Sequence, residues 1–271
     1  MPELPEVETV KRGLAKALKG KRIADFDCDW HKMINLPLAR YKKLLKGLRV
    51  REVRRRAKMI IMLLDRELQL MFHLKMTGQL VFGGHPNKFT HATFTFTDNS
   101  NLFFNDVRKF GWVRLYNKKE LAQALEKMDL GPEPFDKEFS PAYLLKVAQR
   151  RPKAKVKQFI MDPQVVVGVG NIYSDEVCYF AKVRPDRQLK TLKDNDLKSI
   201  HKGILKILTA AIKAQGTTFS NYVNADGEAG AYTRKLKVYS RYGKKCYHCK
   251  AVIKRMKIGG RTSSFCPKCQ K

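Results

Sequence analysis

The first helix is predicted from apolar residues that recur three and four positions apart near the N-terminus, Val7, Val10, Leu14 and Leu18. This spacing places the four side chains on one face of a helix. Pro5 precedes all four, and proline suits the first turn of a helix because its missing N–H would have no partner there. The pattern therefore predicts an amphipathic helix at the start of the chain.

From about Arg22 to Tyr116 the pattern changes to short strands. Met59–Leu64 is a continuous apolar run, and Ala92–Thr97 alternates between apolar and polar residues. Runs of this length between Gly- and Asn-rich turns are typical of β-strands. Many short strands in succession predict a β-sandwich behind the first helix.

Gly131–Pro134 interrupts the strands and is interpreted as a linker. Beyond it, helical periodicity appears in four segments, Ser140–Arg150, Val156–Met161, Asn171–Ala181 and Asp194–Gln215. The last segment, Val238–Lys271, is predicted to be a β-hairpin. The expected fold class is α+β, with a helix and sandwich at 1–132, a helical domain at 133–235 and the hairpin at 236–271.

Charge narrows the choice of partners. The 271 residues include 55 Lys and Arg against 25 Asp and Glu, a net charge of +30. A field of this sign attracts polyanions, either nucleic acid or an anionic membrane surface. Hydrophobic residues make up 44% of the chain, which excludes a disordered basic tail as the whole protein.

No apolar run approaches the roughly 20 residues of a membrane-spanning helix, and the first residues are too charged for a secretory signal. We therefore expect a cytoplasmic protein, not a secreted one, that binds nucleic acid. Lys and Arg are densest in Arg40–Lys58 and Lys235–Lys257. Each run alone fits a solvated face equally well, but together they favour a groove with salt-dependent binding.

Four of the six cysteines form two closely spaced pairs near the C-terminus, Cys246-x2-Cys249 and Cys266-x2-Cys269. Such pairs are typical of a tetrahedral four-thiolate zinc site. The alternative, two disulfides, is characteristic of secreted proteins. Four protein ligands leave no open position for substrate, so we expect one structural Zn²⁺. The other two cysteines, Cys28 and Cys178, are expected to be buried and inert.

The N-terminus offers a candidate nucleophile. Removal of Met1 would leave Pro2 with a free secondary amine. An α-amino group has a pKa of about 7.7–8.0, against about 10.4 for lysine, so more of it is unprotonated at neutral pH. Such an amine condenses with a carbonyl-like carbon, and Glu3 or Glu6 would be a proton donor beside it. An ordinary N-terminal turn explains the same residues.

Six sequence blocks resemble the formamidopyrimidine-DNA glycosylase family, in family order along the whole chain. They are MPELPEVETV at the start, Arg55–Lys58, His73–Gly78, Asp106–Gly111, Gly168–Tyr173 and Gly260–Gln270. The start is similar to the branch that excises oxidised purines and departs from the MPEGPE of the branch that acts on oxidised pyrimidines. The resemblance implies a base-excision-repair enzyme that removes 8-oxoguanine and formamidopyrimidines from duplex DNA, nicks the abasic site by β,δ-elimination, and has a helix-two-turn-helix domain.

The resemblance also implies four catalytic residues. Pro2 would attack the anomeric carbon of a flipped nucleotide and hold the sugar as an iminium, while Glu3 supplies or relays the proton. Lys58 matches the lysine of the first elimination, and Arg261 matches the arginine of the zinc hairpin that serves the second.

Eight further residues are implied to bind DNA. Asn171 would face a phosphate from the turn between two helices. Met76, Arg108 and Phe110 match the trio that fills the void left by the flipped nucleotide, although core packing is the ordinary explanation for Met76 and Phe110. Four more are expected to contact phosphates, His73, His91, Arg151 and Lys157.

The sequence departs from the family pattern at Lys75 and Ala57, where glycine is common, and in the segment 87–91. The stretch Thr217–Lys235 fits the loop that covers an oxidised purine, and its glycines suit a lid that orders on binding.

Two other functions stay open. They are a glycosylase for oxidised pyrimidines, against which the Leu4 start and the Thr217–Lys235 loop argue, and a noncatalytic zinc-containing protein that binds damaged DNA. The intact set of Pro2, Glu3, Lys58 and Arg261 argues against the second. The expected partner is double-stranded damaged DNA, with no membrane and a monomeric chain.

Overall fold

A computed structural model describes residues 1–219 and 222–271. These residues form two compact units, one of Met1–Met128 with Ile212–Thr233 and one of Asp129–Ala211 with Arg234–Lys271. Two positions of the predicted lid, 220 and 221, lie outside the described residues. No helix in the described ranges is long and apolar enough to cross a membrane. The domain limits expected from the sequence stay a prediction.

Helix α1, Leu4–Leu18, confirms the first predicted element. Its four predicted core residues, Val7, Val10, Leu14 and Leu18, are all buried. A capping box starts the helix, because the Glu3 carboxylate accepts the Glu6 N–H and the Glu6 carboxylate accepts the Glu3 N–H at 2.8 Å. Such reciprocal bonds satisfy two backbone donors that a helix start otherwise leaves unpaired.

Eight strands of the first unit form the predicted sandwich. They are β1 (Ile23–Cys28), β2 (Val50–Arg56), β3 (Met59–Leu64), β4 (Gln69–His73), β5 (Gly78–Phe82), β6 (Thr90–Phe96), β7 (Asn101–Asp106) and β8 (Trp112–Tyr116). All pairings are antiparallel, in the orders β1-β6-β7-β5 and β2-β3-β4-β8. The two sheets share one aromatic core, in which the Phe72 ring lies 5.8 Å from that of Phe94 and 6.3 Å from that of Phe104.

Two helices of the first unit, α2 (Leu38–Leu45) and α3 (Lys118–Glu126), were not predicted. Helix α2 overlaps the start of the basic run Arg40–Lys58, and it buries Tyr41 and Leu45 against the sandwich. Part of that run is therefore the solvated face of a packed helix, as its alternative interpretation proposed.

The second unit contains the predicted helices, α4 (Pro141–Gln149), α5 (Val156–Met161), α6 (Asn171–Phe180) and α7 (Asp194–Lys213), whose last residues belong to the first unit. Strands β9 (Lys254–Ile258) and β10 (Arg261–Phe265) form the terminal hairpin. Gly259 and Gly260 join them with φ of 54° and 74°, the left-handed geometry that tight hairpin turns require and glycine adopts freely.

Candidate active site

Pro2 and Glu3 lie at the N-terminal end of α1, and both are buried. Glu3 is 2% exposed, so its carboxyl group is shielded from bulk water. Glu6 ties this end to the segment after α7, because its second carboxylate oxygen accepts the Thr217 N–H at 2.8 Å. A buried carboxyl beside the terminal residues is an arrangement suited to proton transfer.

Lys58 is half-buried in the two-residue turn that joins β2 to β3. The preceding residue, Ala57, has a φ of 54°, a conformation in which glycine is unstrained and alanine is not. The turn thus keeps a glycine-type backbone although the sequence has alanine there.

Arg55 fixes this turn to α1. Its Nε donates to Glu8 at 2.9 Å, and its Nη1 donates to the Ala57 carbonyl at 2.9 Å. Burial raises the pKa of Glu8, but the Arg12 and Arg55 guanidinium groups outweigh it and hold the pKa below its usual value. The ionised Glu8 therefore anchors the turn that bears Lys58.

His73 ends β4 with a half-buried ring. Its Nδ1 accepts the backbone N–H of Lys75 at 2.9 Å, so the proton of the neutral ring lies on Nε2. Burial, together with the Lys75 and Lys58 ammonium groups, lowers the pKa of His73 to about 3. The imidazole is therefore neutral at physiological pH and offers an N–H donor in an electropositive site.

Met76, Arg108 and Phe110 come together on the surface of the first unit. Met76 is 45% exposed and Phe110 is 52% exposed, so core packing does not explain them. Arg108 Nη1 lies 3.0 Å from Met76 Sδ, and its Cζ lies 4.5 Å from the Phe110 ring centroid. The three predicted side chains thus lie together on one exposed surface.

Asp106 organises the two turns that carry this trio. Its buried carboxylate accepts the N–H groups of Arg108 at 3.1 Å and Gly111 at 2.6 Å, and the Thr77 hydroxyl. The Thr77 hydroxyl also accepts the Arg108 N–H at 3.1 Å. The sequence analysis gave Asp106 no role, although an acid at the end of an apolar segment is a signal that the sequence contains.

Three non-glycine residues at these turns have a left-handed backbone conformation. Ala57, Lys75 and Lys109 all have φ between 51° and 56°, and each is adjacent to a residue discussed above. Non-glycine residues in this region cost on the order of 1–3 kcal/mol and tend to occur at functional sites.

In the second unit, Asn171 is the first residue of α6 and borders a cleft. Its Oδ1 is buried without a hydrogen-bond partner among the described residues. The other lining residues include Tyr239, Ser240, Tyr242, Arg255 and Thr262. Backbone N–H groups at a helix start attract anions, so the cleft is suited to a phosphate. Sequence reasoning had missed all of its residues except Asn171.

Arg261 is exposed at the first position of β10, next to Thr262 of this cleft. The turn of Gly259 and Gly260 comes directly before Arg261 and places it at the start of β10. Asn171 and Arg261 are thus brought to one region of the second unit.

Three predicted phosphate contacts are instead bonded to carboxylates of the protein. His91 is 6% exposed, and its Nδ1 lies 2.9 Å from Asp29 Oδ1. Arg151 forms an ion pair with Asp162. The Lys157 ammonium is buried and donates to Asp175 at 2.7 Å. The His91 ring and the Lys157 ammonium are buried.

The four predicted zinc ligands come together beside the terminal hairpin. Their Sγ atoms all lie within 4.8 Å of one another, with 3.4 Å between Cys249 and Cys266 and 3.9 Å between Cys246 and Cys269. Sulfurs at about 2.3 Å from a tetrahedral zinc lie roughly 3.8 Å apart, whereas a disulfide requires about 2.05 Å. The donor set fits one structural zinc ion. The other two cysteines are buried, as predicted.

Three protein-family models match the chain in succession. They are the formamidopyrimidine-DNA glycosylase N-terminal domain at residues 1–113, the H2TH domain of the same enzymes at 130–223, and the zinc finger found in FPG and IleRS at 243–271. The formamidopyrimidine-DNA glycosylase of Shouchella clausii (strain KSM-K16) is 39% identical over 277 residues, covering 100% of this chain and 99% of that protein. The chain belongs to the formamidopyrimidine-DNA glycosylase family.

Solved structures agree with this assignment. A Lactococcus lactis Fpg mutant in complex with Fapy-dG-containing DNA matches with a TM-score of 0.93 at 33% identity, and covers 100% of both chains. A complex of the L. lactis Fpg with DNA containing an abasic site matches with a TM-score of 0.92, also at 33% identity, over 99% of both chains. The chain is therefore an enzyme of the DNA glycosylase and abasic-site lyase class.

Proposed function

We propose that this formamidopyrimidine-DNA glycosylase removes oxidised purines from duplex DNA with Pro2 as the nucleophile and Glu3 as the proton donor. The observation that carries the proposal is the burial of Pro2 and Glu3 together at the capped start of α1. Once Met1 is removed, two adjacent buried residues supply an amine and a carboxyl group at one helix start, away from bulk water, where proton transfer is effective.

The proposed reaction consists of base excision followed by two eliminations that cut the DNA strand. The Pro2 nitrogen bonds to C1′ of the deoxyribose, the glycosidic bond breaks, and the departing base takes its proton from Glu3. The Glu3 carboxylate then takes the proton from the Pro2 nitrogen and passes it to O4′ as the C1′–O4′ bond breaks, so that the sugar ring opens and C1′ becomes an iminium carbon. The resulting iminium acidifies C2′, so loss of a C2′ proton expels the 3′ phosphate. A second elimination then expels the 5′ phosphate and leaves a one-nucleotide gap. Lys58 serves the first elimination and Arg261 the second.

The residues predicted to bind DNA fall into those whose side chains are accessible to DNA and those that are bonded to carboxylates of the protein. Met76, Arg108 and Phe110 fill the void of the flipped nucleotide, with the exposed Phe110 ring inserted between bases. His73, Asn171 and Arg261 bind phosphates. Asn171 borders the cleft of the second unit, Arg261 is exposed, and the neutral His73 ring offers its Nε2–H. His91, Arg151 and Lys157 act through the carboxylates that they bind.

A strand-nicking assay tests the proton-donor role. Glu3→Gln is expected to slow excision of 8-oxoguanine opposite cytosine by roughly 100-fold or more, while cleavage of a preformed abasic site is much less affected. Glu126→Gln, an exposed carboxyl change on α3, is the matched control. Equal slowing of both reactions by Glu3→Gln would argue for a general folding defect instead.

Oxidised pyrimidines are the second candidate substrate class. The wild-type L. lactis Fpg has been solved with DNA that contains an oxidised pyrimidine. The same assay with an oxidised pyrimidine in place of 8-oxoguanine therefore decides the preferred class, and we expect the purine to be excised faster.

A further inference from the structure

Two successive acids on α6, Asp175 and Glu176, are buried and bind the C-terminal part of the second unit. Asp175 is 0% exposed and Glu176 is 1% exposed. Glu176 accepts the N–H groups of Val238 and Tyr239, both at 2.9 Å. Neither acid has a place in the chemistry proposed above, and a buried charge needs a reason to be kept.

Asp175 binds the strand that begins with Arg261. Its Oδ1 accepts the Ser263 hydroxyl at 2.6 Å, and its Oδ2 accepts the Ser264 N–H at 2.8 Å. Lys157, on α5, completes the group by donating to Asp175 at 2.7 Å and to the Thr262 carbonyl at 3.2 Å. Three consecutive residues of β10 are therefore held by one buried ion pair.

The contact between Asp175 and β10 links the residue Asn171 on α6 to the residue Arg261 on β10. Asp175 is four residues after Asn171, and residues at this spacing lie on the same face of a helix. Arg261 is the residue directly before Thr262 in β10. The ion pair thus fixes the distance between the helix end that carries Asn171 and the strand end that carries Arg261.

We propose that Lys157 and Asp175 are positioning residues that hold Arg261 and Asn171 in register on the same phosphate, and thereby set the efficiency of the second elimination. The inference rests on the proposed function, because it concerns a step of that reaction. Neither residue touches the reacting atoms in this account. Lys157, predicted from the sequence to bind phosphate itself, acts through the hairpin.

Three variants separate positioning from general stability. Lys157→Met with Asp175→Asn removes both charges at once, which avoids the unpaired buried charge that either change alone would leave. Ser263→Ala removes a single hydrogen bond of the group. His201→Leu is the matched control, because it removes a different buried contact of the second unit, the 2.8 Å hydrogen bond to the Phe139 carbonyl.

The readout is the product ratio on DNA with a preformed abasic site, resolved by the phosphate ends of the fragments. The double variant is expected to slow the second elimination relative to the first by about ten- to a hundredfold at unchanged zinc content. Ser263→Ala is expected to shift the ratio in the same direction by less, and His201→Leu to leave it unchanged.

An unchanged product ratio in a folded double variant would overturn the inference, as would a proportional loss of every step. Failure of the proposed function has a different signature, since the wild-type enzyme would then neither excise 8-oxoguanine nor complete both eliminations. Loss of the hairpin fold is detected separately, because zinc content would fall with it.

Discussion

The segment predicted to cover the lesion packs closely against α1 where Ala225 lies over Gly13. A Cβ added to Gly13 would lie 2.7 Å from the Cβ of Ala225, well inside the roughly 3.5–4.0 Å of an ordinary carbon contact. Ala225 is 1% exposed, and its carbonyl accepts the Phe82 N–H at 2.9 Å. Gly13→Ala is therefore expected to displace this segment.

The magnitude follows from two opposing effects. Alanine in place of glycine inside a helix stabilises it by about 1 kcal/mol. The overlap with Ala225 costs about 1–3 kcal/mol while the segment stays docked. Moving Ala225 away from α1 loses its burial and its hydrogen bond with the Phe82 N–H, which contributes about 1 kcal/mol. Because the segment yields more easily than α1, overall stability should change by less than about 1 kcal/mol, while docking weakens roughly 5- to 150-fold.

Single-turnover excision measures the consequence. Gly13→Ala should slow release of 8-oxoguanine by about tenfold or more, while cleavage of a preformed abasic site stays near the wild-type rate. Adding Ala225→Gly removes the clashing methyl and should restore excision, and Ala225→Gly alone is the control. If Gly13→Ala releases 8-oxoguanine at the wild-type rate, and hydrogen-exchange protection of residues 222–230 is unchanged, the proposed displacement of the segment is refuted.

Three other outcomes are expected. Chelation should release one zinc per chain and abolish DNA binding, with tryptophan fluorescence unchanged because Trp30 and Trp112 both lie in the sandwich unit; a large fluorescence change would contradict this. The pKa of His73 is lowered to about 3 by burial and by Lys75 and Lys58, whereas the unfolded chain titrates near 6.5. Protons then bind the unfolded state first as pH falls from about 6.5 toward 3, so stability is lost in that window. His73→Gln should flatten this loss in denaturant unfolding, and parallel curves for the two proteins would count against it. Asp106→Ala should lower the free energy of unfolding by about 2–3 kcal/mol and slow excision; a fully active variant of wild-type thermal stability would show that Asp106 does not organise the trio.

The elements that the sequence predicted correctly are those whose residues lie close together in the chain. Helix α1 and strand β3 follow from clean periodicity, and the zinc site follows because each pair of cysteines is close in sequence. Helix α2 was not predicted because its two buried residues, Tyr41 and Leu45, are separated by lysines. The segment was therefore interpreted only as part of a basic run.

The partners of polar residues depended on contacts between distant parts of the chain. Lys157 looks like a surface cation until Asp175, eighteen residues away, is seen to bind it. His91 and Asp29 are 62 residues apart, and Asp106 gathers donors from two different turns. The sequence provides the residue types for such groups, but only the packed chain decides which donor meets which acceptor.

The central claim is that the secondary amine of Pro2 forms the covalent link to DNA. Borohydride reduction during the reaction with DNA carrying 8-oxoguanine opposite cytosine should trap the enzyme on the strand. Peptide mass spectrometry should then find the sugar on an N-terminal peptide that begins at Pro2. No adduct with the wild-type enzyme, an adduct at a lysine such as Lys58, or equal trapping by Pro2→Gly would contradict the account.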